Sequence, residues 1–71
     1  MGYFLGVDIG SGNVKLSLIG ESGNIVQFDT EKISTGPRVA VSTLIARLGQ
    51  GFNLDQIVAA GVSGSGKTAI P

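Results

Sequence analysis

Two glycine-rich stretches hold most of the residues that could do chemistry. The first is VDIGSGNVK, residues 7–15. Asp8 stands at the end of an apolar run, and a lone carboxylate there suits a hydrated Mg²⁺, which keeps most of its waters. Gly10 and Gly12 let the backbone turn tightly and approach an anion without a Cβ in the way. Successive N–H groups across Gly10, Ser11, Gly12 and Asn13 can form a concave anion nest. Lys15 adds a compact positive charge within reach. The same spacing also describes a plain hairpin turn with Asp8 exposed at its rim, and spacing alone does not separate the two.

The second stretch is GVSGSGKT, residues 61–68. It fits the pattern G-x-x-x-x-G-K-[ST], in which loop amides cradle phosphates, the lysine reaches the β- and γ-phosphates and the hydroxyl binds Mg²⁺. An apolar strand precedes it. The helix whose N-terminus completes such a site does not follow within the sequence. The loop also comes after the fourth strand rather than the first. The competing reading is a strand-to-loop turn that matches the pattern by chance.

The elements that position these stretches follow from periodicity. YFLGVDI (3–9) is nearly all apolar and reads as a strand buried on both faces. VKLSLI (14–19) alternates, with Val14, Leu16 and Leu18 on one side and Lys15 and Ser17 on the other. GESGN is a turn cluster, and IVQFDTEKI (25–33) is a third, more polar strand. Short glycine turns make these three an antiparallel meander. STGP then offers a cap and a proline for a helix start. Val41, Leu44, Ile45 and Leu48 follow at helical spacing, and Gly49 and Gly51 close the helix. Arg38 and Arg47 read as solvated helix charges, and Tyr3, Phe4, Phe28 and Phe52 as core or rim. NLDQ is a connector of about one turn, and IVAAGVS (57–63) is a fourth strand, returning parallel to the first. The expected order is β-β-β-α-β in a mixed sheet.

Composition narrows the function classes. The chain has 71 residues, five basic and five acidic, with no cysteine and no histidine. A disulfide or a zinc staple is thereby excluded within it. The balanced charge lacks the basic patch of a nucleic-acid binder. No apolar run approaches the ~20 residues of a membrane span, and no basic segment opens a signal peptide. The expectation is a soluble, cytoplasmic protein. Twelve glycines in so short a chain make folding costly. That cost, and a chain that stops at Pro71 just past Lys67 and Thr68, suggest a piece of a larger domain. Its bare faces would favour a homo-oligomer, and an interaction module without a nucleotide role is a reading of its own.

The hairpin with D-x-G-S-x-x-x-K, Asp8 to Lys15, resembles the first phosphate motif of the actin, sugar kinase and heat-shock chaperone ATPase superfamily. Within that superfamily, GVDIGS at 6–11 together with GVSGSGK at 61–67 is most similar to the BadF/BadG/BcrA/BcrD ATPase family. That family includes activators of 2-hydroxyacyl-CoA dehydratases and subunits of benzoyl-CoA reductase. The resemblance spans nearly the whole chain and accounts for both glycine stretches. It implies a ribonuclease H-like, actin-like ATPase α/β fold, with residues 1–71 forming its N-terminal part. It implies Mg-ATP as cofactor, with Asp8 positioning a Mg²⁺-bound water and so acting as the catalytic and metal-site residue. Gly10, Ser11, Gly12 and Asn13 would wrap the β- and γ-phosphates, and Lys15 would touch a phosphate oxygen. Ser63, Gly64 and Ser65 would line the cleft. A CoA-ester dehydratase or reductase would be the partner. The dehydratase activators also carry an iron–sulfur cluster on cysteines, which this chain lacks, as it lacks the second phosphate motif and the adenosine motif.

Overall fold

The computed structural model describes residues 2–64. Strands β1 (Tyr3–Ile9), β2 (Asn13–Ile19) and β3 (Ile25–Lys32) precede helix α1 (Pro37–Gly51), a 3₁₀ turn (Leu54–Gln56) and strand β4 (Ile57–Ser63). The sheet order is β3-β2-β1-β4, with β1 antiparallel to β2 and parallel to β4, and β2 antiparallel to β3. The expected α/β class, the meander and the parallel return of β4 are all present.

The core is a single apolar layer. Leu5, Val7 and Ile9 of β1 and Val14, Leu16 and Leu18 of β2 point to one face and meet Ala40, Leu44 and Leu48 of α1. These six strand residues pair as Leu5–Leu18, Val7–Leu16 and Ile9–Val14, so the ladder itself aligns them. The burial of β1 on both faces is not found. Phe4 is 47% exposed and Asp8 is exposed, because no described element covers the face away from the helix.

Helix α1 begins at Pro37, whose fixed φ suits the first helical position. The expected side-chain cap from Ser34 or Thr35 is absent: Gly36 is the N-cap, at φ 124°, and no side chain bonds the first amides. A residue with a Cβ avoids that dihedral. The helix runs through Gly49 and ends at Gly51, followed by an extended Phe52. Phe52 meets Tyr3 edge to face at 5.0 Å, tying the helix exit to the start of β1. Asn53 then accepts the Asp55 N–H at 3.0 Å and so shapes the 3₁₀ turn.

Arg47 is exposed, as expected, but it is not an unpaired charge. On β3, Asp29 and Glu31 stand opposite the core residues Leu16 and Val14, so their side chains rise toward the helix. Arg47 Nε reaches Asp29 Oδ2 at 3.0 Å and Nη1 reaches Glu31 Oε1 at 2.8 Å. Nη2 donates to Asp29 Oδ1 at 3.2 Å and to the Thr30 carbonyl at 3.0 Å. This fork fastens the helix to the edge strand, where the apolar layer has run out.

The clamp sets a pH dependence. The Arg47 hydrogen bond first, then the Thr30 N–H, holds the Asp29 carboxyl below its ordinary value of 3.8. A carboxyl depressed in the fold stabilises it above the unfolded value and stops doing so as pH falls through the folded one. Arg47→Gln is therefore expected to flatten the loss of melting temperature on the acid side of pH 3.8. Parallel thermal melts of the two proteins across that range check this.

Candidate functional site

The register of β1 assembles the site. Because Leu5, Val7 and Ile9 face the helix, alternate residues face the other way, and Asp8 comes to the exposed face one residue before the strand ends. Asp8 is directly opposite Lys15 on β2 and directly opposite Ser63 on β4. Lys15 is in turn opposite Thr30 on β3. Thr30, Lys15, Asp8 and Ser63 thus form one row across the whole sheet, on the face that α1 leaves bare. Among the described residues the ion pairs are those of Arg47, so Asp8 and Lys15 face each other without closing one.

The next row on this face runs from Phe28 through Ser17 to Gly6 and Gly61, so it carries no side chain over β1 and β4. Ser17 pairs with Gly6, and Gly6 with Gly61. A Cβ added to Gly61 meets nothing within 4 Å, and its φ is not positive. Neither packing nor dihedral calls for glycine there. Backbone is simply left bare beside Asp8.

The β1–β2 turn is tighter in its own bonding than a four-amide nest allows. The Gly10 N–H donates to the Asn13 carbonyl at 2.9 Å, so it is not offered to an anion in this conformation. Ser11 and Gly12 are exposed, and among the described residues their N–H groups have no protein acceptor. The Gly12 carbonyl accepts the Ile33 N–H at 2.9 Å, which pins the turn to the end of β3. Neither Gly10 nor Gly12 has a positive φ. A Cβ on Gly10 would sit 3.3 Å from the Asn13 carbonyl, whereas one on Gly12 would meet open space. Asn13 itself begins β2, paired with Lys32.

Of the expected site residues, the structure gathers Asp8, Lys15 and Ser63 in one row, Gly10 to Asn13 in the turn beyond it, and Gly64 against the end of β1. Ser65 lies outside the described residues, as do Gly66, Lys67 and Thr68 of the alternative phosphate loop. The first three positions of that alternative, Gly61 to Ser63, are strand, paired with Gly6 to Asp8. Thr30 was not singled out from the sequence. Its hydroxyl donates to the Val14 carbonyl at 3.2 Å, and only the β2–β3 register reveals it as Lys15's neighbour. A hollow of about 300 Å³, lined by Tyr3, Gly20, Glu21, Ser22, Asn24 and Val26, lies at the opposite end of the sheet.

Solved structures with this arrangement are known. The activator of the 2-hydroxyisocaproyl-CoA dehydratase from Clostridium difficile, solved with bound ADPNP, superposes with a TM-score of 0.71 at 26% identity, over 97% of this chain and 26% of that one. Lmo2764 of Listeria monocytogenes, described as a candidate N-acetylmannosamine kinase, superposes with a TM-score of 0.64 at 18% identity, over 86% of this chain and 20% of that one. Both are members of the actin-like ATPase superfamily. This chain has the actin-like ATPase fold. It spans about a quarter of the activator's length. No family model and no curated protein matches it. None of the described helices is long and apolar enough to cross a membrane.

The open surroundings of Gly12 yield a test of its own. Gly12→Ala is expected to change the unfolding free energy by less than about 0.5 kcal/mol, as for an unencumbered surface position. Urea denaturation measures it.

Proposed function

We propose that this chain forms one wall of a Mg-ATP site, as the N-terminal part of an actin-like ATPase domain. The observation that carries the reading is the Lys15–Asp8–Ser63 row ending beside two unengaged turn amides, in a fold shared with a nucleotide-bound activator. The residues present fit the group. Asp8 is a single exposed oxygen donor of the hard type that Mg²⁺ prefers and would hold one of its waters. The Ser11 and Gly12 amides, with that of Asn13, would donate to phosphate oxygens, and the absent Cβ of Gly12 lets them come close. Lys15 would neutralise phosphate charge opposite Asp8. When bound, Mg²⁺ neutralises the charge that develops on the transferred phosphate, and positioning does the rest.

In the whole protein we propose ATP hydrolysis that drives a change of conformation, coupled to a CoA-ester dehydratase or reductase partner. The activator likeness supports this at the level of fold and nucleotide, at 26% identity. An iron–sulfur cluster finds no ligands among these residues, since the chain has no cysteine, and no step here runs through one.

One wall binds weakly. Amide signals of Ser11, Gly12 and Asn13 should shift on titration with Mg-ATP, with a dissociation constant no tighter than about 1 mM, which corresponds to only ~4 kcal/mol. Asp8→Ala should remove the Mg²⁺ dependence of those shifts. Micromolar binding by calorimetry would contradict the one-wall reading. Shifts that ignore both Mg²⁺ and Asp8 would contradict the site.

A second reading, self-association, is favoured by a different observation. Phe28 is 57% exposed, Val58 64% and Val62 47%, and among the described residues β4 leaves one edge open. Residues 57–63 carry no charge and no proline to guard that edge. Light scattering is expected to show a dimer or larger species, and a clean monomer at high concentration would count against it.

A further inference from the structure

The turn that ends β4 meets the end of β1 with no room to spare. Gly64 has φ 108°, in the region that L side chains avoid. A methyl built on it would lie 2.2 Å from the Ile9 carbonyl oxygen, 2.7 Å from the Ile9 nitrogen and 2.7 Å from Asp8 Oδ1. Two of these neighbours are backbone and cannot swing aside. Gly23 and Gly36 share the positive φ, yet a Cβ on either meets nothing within 4 Å. Their dihedral alone calls for glycine. At position 64 the dihedral and the crowding coincide, and the crowding is against the carboxylate of the candidate site.

We infer that Gly64 is a positioning residue for Asp8. Its backbone, lodged against Oδ1 and the Ile9 peptide, takes away part of the space through which the carboxylate would otherwise rotate. A free aspartate samples several staggered χ1 wells. Confined to fewer, Asp8 presents its oxygens in line with Lys15 and Ser63 before any ligand arrives, which lowers the ordering cost of binding. The Gly64 backbone and the Asp8 side chain are therefore coupled. The functional meaning of this contact rests on the Mg-ATP reading above, whereas the contact itself does not.

Three-bond couplings of Asp8 in the labelled chain read its χ1 distribution with no ligand present. One dominant rotamer is expected in the native chain, and a redistributed or averaged one in both Gly64→Ala and Gly64→Asn. Native couplings retained in either variant would overturn the inference. Cross-strand contacts of Leu5 with Leu18 and Val7 with Leu16 verify that the hairpin persists in the variants. Should both variants fail to fold, Asp8→Ala at its exposed position probes the contact from the other side. It must shift the Gly64 amide and α-proton signals more than those of Gly51, and unmoved Gly64 signals would overturn the inference. With Mn-ATP as the probe, paramagnetic broadening at Asp8 should require about 10-fold more Mn²⁺ in Gly64→Ala, the usual effect of losing a group that orients a metal ligand. An ordered native Asp8 with no Mn-ATP broadening would sink the nucleotide reading and leave the positioning contact standing. A freely rotating native Asp8 with normal broadening would do the reverse.

Discussion

The register of one strand governs this molecule. In β1, Leu5, Val7 and Ile9 must face the helix to build the only apolar layer found among the described residues. Two-residue alternation then leaves Asp8 no choice of face, and a slip by one residue would bury the carboxylate and expose the core. The β2 hairpin and the β4 ladder are both read against this strand, so Lys15 and Ser63 inherit their places from it. Core and candidate site are two consequences of the same pleat, which is why the site needs no buried polar group to hold it.

Much of this was legible in the sequence, and for local reasons. Val14, Leu16 and Leu18 alternate strictly, and the short GSGN turn fixes which residue of β1 each of them faces. A hairpin across residues 10–13 brings Asp8 and Lys15 together by counting alone. The parallel partner, Ser63, is another matter, because its register depends on how a helix and a connector of 24 intervening positions, 33–56, are spent. The ion pairing of the exposed Arg47 was missed for a related reason. Its partners Asp29 and Glu31 lie on a strand whose helix-facing side becomes known only when α1 is placed over it. The burial of β1 on both faces was misjudged because an apolar run cannot say whether a second layer exists. The four-amide nest failed at Gly10, where closing the hairpin uses the N–H that the nest would have offered.

The two sheet edges are managed in opposite ways. At β3 the edge carries Asp29, Glu31 and Lys32, and Arg47 closes over the two acids, so that edge is charged and tied down. Charged side chains are a common defence against unwanted strand pairing. At β4 the edge carries none, and its residues are exposed on both faces beyond Ile57. The same β4 also supplies Ser63 and leads into Gly64. The least covered strand is therefore the one that completes the row at Asp8, so whatever covers β4 will bear on the site.

This connection decides how to weigh the glycines. Glycine in a strand or turn costs chain entropy, and it persists where a side chain would do harm. At Gly64 the harm is visible inside the fold, since a methyl would collide with β1. At Gly12 and Gly61 nothing within the described residues would be touched. A space that the protein leaves empty on the same face as Asp8, next to unengaged amides, is one that something outside the chain can enter. A ligand is thus indicated less by the glycines the fold needs than by those it does not, and both kinds border the same carboxylate row.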